Sequence, residues 1–415
     1  MKPSHTSSLS ALNALPRTGW LNRWCLQTLL GHLPQIDFGT LDLQLPSGQM
    51  LQFGRPREGE PRAEIRLNHY RALRRLLRGG AIGWAESYME GDWDSPDLES
   101  LFRWALGNEQ AMQHLVKGNL LLRLINRIRH LSRANTRKGS RRNIAYHYDL
   151  GNEFYRLWLD RSMTYSAALY EDVNAQGQEA LYQAQLAKYR RIADMLELQP
   201  GQRVLEVGCG WGGFAELAAR EYGVEVHGIT LSTEQLNYAR ERVERAGLNE
   251  LCRFTLTDYR DVADTYDHIV SIEMFEAVGE EHWPVYFNQL KRCLKPGGRA
   301  VLQIISIENQ RFERYRNSAE FIQTYIFPGG MLPSPERLRA EISAGGLQLQ
   351  REHTFALGYA RTLREWHHSF TEQWPRVQAQ GFDERFRRMW VYYLAYCEAG
   401  FRHGSIDVGL YQLSH

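Results

Sequence analysis

The sequence has no CxxC pair, no long apolar run and almost no net charge. Its five cysteines, Cys25, Cys209, Cys252, Cys293 and Cys397, are scattered and odd in number. That pattern argues against a disulfide framework or a zinc site, and for a reducing cytoplasm. No stretch reaches the roughly eighteen apolar residues of a membrane-spanning helix. The opening MKPSHTSSLSALNALPRTGW lacks the apolar core of a signal peptide. Contact with a membrane is therefore expected only at its cytosolic surface. A formal charge of +2 excludes any inference about partners from bulk charge. Internal repeats and low-complexity tracts are missing too. What is there is an ordinary globular composition, 43% hydrophobic and 24% charged, over 415 residues, enough for two or three domains.

One absence is local. Between Ala111 and Tyr148 there is no Asp or Glu, while Arg123, Arg127, Arg129, Arg133, Arg137, Lys138, Arg141 and Arg142 concentrate positive charge. LLLRLINRIRHL carries apolar residues at helical spacing, and SRANTRKGSRRN reads as a loop. A basic amphipathic helix followed by a basic loop suits an anionic lipid surface. A solvated linker helix is the plainer alternative. Interleaved aromatics are lacking, so no nucleic-acid partner is expected.

On either side the patterns differ. Residues 1–110 mix helix and strand. Gly19 to Leu33 has helical spacing, stopped by Pro34. LDLQLPSGQMLQF alternates around a Pro-Ser-Gly turn, as a hairpin does. Asn68 to Leu77 is helical, and SPDLESLFRWAL opens another helix with Ser95 as N-cap and Pro96 in first position. Residues 111–145 form the basic linker. From 146 to 415, the β-rich runs RVLEVGCG, VEVHGIT, RFTLTDY, HIVSIEMF and RAVLQIIS alternate with helical patterns such as FAELAAREYG and TEQLNYARERVERAG. Later strands are expected at LQREHTFALG and GLYQLS, with helices at WHHSFTEQW and FDERFRRMWVYYLAYCEAGF between them. That order predicts an α/β fold with a doubly wound, mostly parallel, seven-stranded Rossmann-like sheet, beside a smaller α+β N-terminal domain.

The glycine-rich VLEVGCGWGGF (204–214) ends the first of these strands and opens a helix. Glycines there let the backbone turn sharply and let a nucleotide lie against it. A dinucleotide site would place an acid at the tip of the second strand. VEVHGIT instead ends in Thr230 and continues into LSTEQ, and the acid sits inside the first strand as Glu206. Asp258, after the third strand, can accept from an adenine amino group. Together these marks resemble the opening of the class I methyltransferase fold, which binds S-adenosylmethionine.

Further motifs, agreeing in order and spacing, resemble the cyclopropane-fatty-acyl-phospholipid synthases. They are YHYDLGNEFYRLWLDRSMTYSAALY (146–170), GITLSTEQ, DYRD, SIEMFEAVG, LKPGG and YIFPGGMLPS, with AESYMEGDWDSPDL (85–98) similar to part of their N-terminal domain. The resemblance implies a lipid-binding-type domain over 1–110 and a methyltransferase domain over 146–415. It implies methylene addition from S-adenosylmethionine across the cis double bond of unsaturated phospholipid acyl chains. The partner is then an anionic membrane surface, met by a cytoplasmic protein peripherally associated with the inner face; a homodimer is left open. The cofactor contacts implied are Tyr165, Ser166, Glu206, Gly208, Gly210, Thr230, Leu231, Gln235, Asp258, Tyr259 and Ile272. A bound bicarbonate is implied as the base, at a catalytic site matching Ala167, Glu276, Gln303, Ile305 and Tyr359. No metal is implied.

Three positions depart from the family's pattern. Ala167 stands for a cysteine, Ala277 for the histidine after the glutamate, and Gln303 for a histidine on the fifth strand. Ala167 keeps its backbone N–H and Gln303 can hydrogen-bond, but neither carries positive charge. These changes bear on bicarbonate binding and ring closure more than on methyl transfer. Three alternatives therefore stand beside the synthase. One is the same transfer giving a methyl-branched or methylated unsaturated chain. The others are a small-amine N-methyltransferase and a membrane protein that binds S-adenosylmethionine without turnover. Elsewhere, His147, Tyr148 and Asp149 are assigned to a lid over the cofactor and Cys209 to turn filling. Trp366, Trp374, Trp390, Tyr392 and Tyr393 are assigned to the core or to an acyl channel.

Overall fold

A computed structural model describes residues 19–33, 36–112, 150–172, 175–318 and 320–415. The basic stretch beyond Met112, and with it His147, Tyr148 and Asp149, lies outside the described residues. The chain forms two compact units. One comprises Met1–Arg129, Ser318–Phe321 and Phe382–His403; the other comprises His130–Asn317, Ile322–Gly381 and Gly404–His415.

In the first unit, β1 (Thr40–Gln44) and β2 (Met50–Gly54) form the expected hairpin. β3 (Arg62–Leu67) pairs parallel to β1, and the short β4 (Trp93–Asp94) pairs antiparallel to β3. Leu41, Leu43, Ala63, Ile65 and Leu67 are buried at every second position, the period of a half-covered sheet. The helix expected at Asn68 to Leu77 runs Arg71–Met89. The next helix, Leu98–Gly107, is capped by Asp97 and not by Ser95: Asp97 Oδ1 accepts the Ser100 N–H at 3.0 Å. Asp97 stands immediately before the first turn, in reach of its third amide, and Ser95 stands two residues too early. The helix Glu384–His403 also belongs to this unit, although it follows the methyltransferase motifs in sequence. Its Tyr392 lies against Tyr88, Phe102 and Phe321, with ring centroids 5.6, 4.7 and 4.6 Å away. Trp390, Tyr392 and Tyr393 are buried.

The second unit is built on a seven-stranded sheet. Its strands are β5 (Arg203–Val207), β6 (Glu225–Thr230), β7 (Cys252–Leu256), β8 (Tyr266–Ile272), β9 (Leu294–Ile307), β10 (Gln348–Thr354) and β11 (Ile406–Ser414). Their order is β10-β11-β9-β8-β5-β6-β7. Only β11 runs against the rest. Helices cover both faces, so the strands are apolar on both sides. Val204, Val270 and Val301 pack into one core cluster, while their neighbours Leu205, Ile269, Ala300 and Leu302 pack into the other. Each such valine, leucine or isoleucine contributes about 1.5–3 kcal/mol by leaving water. At β5 the chain reverses its direction of travel, with β6 and β7 on one side and β8 on the other. Sheets of this type bind ligands beyond the carboxyl ends of the strands at that point. Gly208 and Glu273 are the residues that follow β5 and β8 there.

Candidate active site

Gly208 has φ +82°, and a Cβ on it would stand 2.9 Å from Met274 Cγ. A Cβ on Gly210 would enter open space, which leaves that edge clear for a ligand to reach the backbone. Glu206 is buried in β5, and its Oε2 has no hydrogen-bond partner among the described residues. Burial pushes its carboxyl well above the usual range. An orphaned acid beside a bare glycine turn fits the charged amino-acid end of S-adenosylmethionine. Thr230 Oγ1 donates to Gln235 Oε1 at 2.9 Å and accepts the Ser232 N–H at 3.1 Å, which ties down the loop through Leu231.

Other implied contacts are more occupied. Asp258 is buried, and Arg260 holds both its oxygens, Nε to Oδ1 at 2.8 Å and the terminal nitrogen to Oδ2 at 2.7 Å. The Tyr259 ring packs edge-on against Tyr286, centroids 5.4 Å apart. Ile272 ends β8 and pairs with Gln303 on β9. The thiol of buried Cys209 is pushed well up by burial. Tyr165 sits among aromatic rings, 5.5 Å from Tyr155, 5.5 Å from Trp158 and 5.2 Å from Trp366.

Two carboxylates follow β8. Glu273 has φ +48°, a left-handed conformation that costs a non-glycine residue about 1–2 kcal/mol. Its carboxylate is held from three other elements. Oε1 accepts from the Ala167 N–H and from Gln303 Nε2, each at 2.7 Å. Oε2 accepts from the Tyr359 hydroxyl at 2.7 Å. Burial raises this carboxyl, while those donors and the charge of Lys188 oppose the rise. Glu276 differs. Its Oε1 accepts the Ile305 N–H at 2.6 Å, and its Oε2 is covered with no partner among the described residues. Burial, and then the neighbouring Glu273 charge, push it up to about 8. At neutral pH Glu276 is therefore mainly a neutral acid. Glu273 is the carboxylate on which donors and a cation oppose the effect of burial.

The structure thus brings Ala167, Gln303 and Tyr359 together around Glu273, and places Glu276 against Ile305. Ala277 is exposed. Sequence reasoning passed over Glu273, although it stands in SIEMF at the tip of a strand of a parallel sheet. It also passed over Lys188, which is fully buried and donates from Nζ to Ser166 Oγ at 2.6 Å. A signal for Lys188 exists. In the helix Gly177–Leu196, Leu181, Ala184, Lys188 and Ile192 recur at steps of three and four along the buried face.

The doubly wound sheet, the bare glycine turn after β5 and the buried acid beside it define an S-adenosylmethionine-dependent methyltransferase. Narrower evidence comes from known proteins. The model of the mycolic acid cyclopropane synthetase family matches residues 135–411, and the chain belongs to that family. It is 41% identical over 342 residues to the tuberculostearic acid methyltransferase of Mycobacterium tuberculosis, covering 81% of this chain and 79% of that one. It is 37% identical over 359 residues to the cyclopropane-fatty-acyl-phospholipid synthase of Escherichia coli, covering 86% and 88%. Among solved structures, the cyclopropane synthase MmaA2 of Mycobacterium tuberculosis is similar with a TM-score of 0.62 at 31% identity, covering 66% of this chain and 98% of that one. The mycolic acid cyclopropane synthase CmaA1 complexed with SAH and CTAB gives 0.61 at 33% identity, covering 66% and 98%. Family and fold are those that the motifs led one to expect.

Proposed function

We propose that this protein transfers the methyl group of S-adenosylmethionine to the cis double bond of an unsaturated phospholipid acyl chain and closes a cyclopropane, with Glu273 as the base. The observation that carries the reading is the Glu273 carboxylate gripped by the Ala167 N–H, Gln303 and Tyr359. When bound, S-adenosylmethionine supplies an electrophilic methyl to one alkene carbon and leaves a cation on the other. The π faces around Tyr165 suit that passing positive charge and keep water from it. Glu273 Oε1 already carries two donors. Oε2 carries one and keeps a lone pair for the proton lost by the added methyl. The C–H electron pair released there forms the third ring bond.

The resemblance implied a bicarbonate at the groups matching Ala167, Gln303 and Tyr359. Here a side-chain carboxylate of the chain itself fills their donor sites, so turnover needs no added bicarbonate. Both named relatives have acyl chains in their names, which supports the lipid substrate over a small amine. A peripheral, cytoplasmic approach to an anionic bilayer has two supports. The acid-free run 111–148 is one. The other is the helix Trp20–His32, which has no acid and exposes Trp20 and Trp24 one turn apart. No helix of the described residues is long and apolar enough to cross a membrane.

The test is direct. The purified chain is incubated with methyl-labelled S-adenosylmethionine and vesicles of cis-unsaturated phosphatidylglycerol, in buffer freed of bicarbonate. Labelled acyl chains, one methylene heavier and resistant to mild hydrogenation of alkenes, are expected, and NMR identifies the ring. Absence of label from the acyl fraction sinks the lipid reading. Strict dependence on added bicarbonate sinks the role of Glu273.

A further inference from the structure

We infer that Lys188 is a positioning residue, the buried counter-charge that keeps Glu273 ionised for proton acceptance. This rests on the base role proposed for Glu273. It answers a question that the sequence raises, since Ala277 and Gln303 stand where the resembled family keeps histidines.

Lys188 has 0% exposure, which is rare for a lysine and tolerated only where acids answer it. Its Nζ donates to Ser166 Oγ at 2.6 Å and lies 4.8 Å from the Tyr189 ring centroid. Ser166 is followed by Ala167, whose N–H holds Glu273 Oε1 at 2.7 Å. Lysine and glutamate are thus linked through two hydrogen bonds and one peptide unit. Burial depresses the lysine, and the acids that oppose this are Glu273 first, then Asp160 and Glu206.

Asp160 Oδ2 accepts the Ser162 N–H at 2.8 Å, and Oδ1 has no partner among the described residues. The Ser162 hydroxyl meets Thr164 Oγ1 at 2.7 Å, which in turn meets the Tyr189 hydroxyl at 2.7 Å, so these hydroxyls on that side of the lysine are tied to one another. Burial raises the Tyr189 phenol, which stays protonated. Burial also raises both Asp160 and Glu206. Glu273 is better supplied, with three donors on its carboxylate. It is therefore the acid that carries the matching negative charge. Among the described residues Arg242 is the other cation near Asp160 and Glu206, but it is engaged by Glu216 Oε2 at 2.6 Å and by the Trp211 carbonyl at 2.9 Å. Among the described residues, Lys188 is the cation whose charge opposes the rise of the Glu273 carboxyl.

Removing the charge of Lys188 should make Glu273 easier to protonate, so the acid limb of kcat against pH moves upward. The experiment compares wild type, Lys188→Met and Lys188→Arg as full chains on unsaturated phosphatidylglycerol vesicles. The methionine variant is expected to shift the acid limb up by about one unit, a loss of about tenfold on that limb, and the arginine variant to restore it. A methionine profile that superimposes on wild type overturns the inference. A second measurement needs neither turnover nor a folded methionine variant. With lysine labelled at Cε, NMR follows the titration of Lys188 in wild type and in Glu273→Gln. Loss of the neighbouring anion should move that titration to lower pH, and an unchanged titration overturns the pairing. Failure of wild type to label lipid would sink the proposed function but leave this NMR result standing.

Discussion

Glu273→Gln is the decisive substitution. It preserves shape and one carbonyl acceptor, and removes the capacity to take a proton. In the native site three donors converge on the carboxylate at 2.7 Å each. The amide oxygen can stay on the Ala167 and Gln303 side, where two of them lie. The amide nitrogen then faces the Tyr359 hydroxyl, which can turn to accept. One hydrogen bond is re-made, but the Tyr359 O–H and the second amide N–H are left to find acceptors, so stability should fall by about 1–3 kcal/mol. Catalysis should suffer far more. A positioned base contributes about 10²–10⁴-fold, or roughly 3–5.5 kcal/mol of barrier. The assay is the initial rate of labelled methyl incorporation into vesicle lipid, with calorimetry to verify that cofactor binding survives. Glu276→Gln is run in parallel. That carboxyl is pushed up to about 8 and has one donor, so its variant should keep turnover within about tenfold of wild type. Glu273 is not the base if Glu273→Gln retains wild-type kcat, or if the Glu276 variant loses as much as the Glu273 variant does.

Further outcomes follow from the same geometry. Glu273→Gly suits a backbone at φ +48° and leaves the three donors facing a vacancy, so its turnover should be lost and then recovered in part by added bicarbonate. No recovery at any bicarbonate concentration would count against a shared anion site. Glu276 has its pKa raised from the ordinary 4.5 to about 8, so its stabilising share is full below 4.5 and fades as pH climbs through 8. Glu276→Gln, which keeps an acceptor for the Ile305 N–H, should therefore flatten the fall of Tm across that interval; parallel curves would show the group is not protonated in the fold. Reversing charge at Arg127, Arg129 and Arg133 should weaken binding to anionic vesicles and make what remains less salt-sensitive, and unchanged binding would reduce the segment to a linker.

The alternation of strands and helices along the chain, the bare turn at Gly208 and Gly210 and the class of cofactor were legible in the sequence. Alternating apolar residues and glycine's backbone freedom are local properties, and local properties are written in consecutive residues. Helix caps were legible only to within two residues: Asp97 took the place expected of Ser95 because reach to one amide decided it. The helix Glu384–His403 could not be assigned to its unit from its position in the chain. An apolar stripe says that a helix is covered, not by what.

The active site shows the same division more sharply. Glu273 and Glu276 stand three residues apart after one strand, and nothing in SIEMFEAVG ranks them. The ranking is made by donors at 106, 30 and 86 residues' distance along the chain, which only the assembled sheet and the helix Ala356–Glu372 deliver to Glu273. The helical spacing of Leu181, Ala184, Lys188 and Ile192 puts Lys188 on a covered face, but not against which acid. The sequence alone determined what kind of enzyme this is, since that rests on repeating patterns and on a glycine turn. Tertiary structure alone decided which carboxylate gathers donors, because those donors are set by residues distant in the chain.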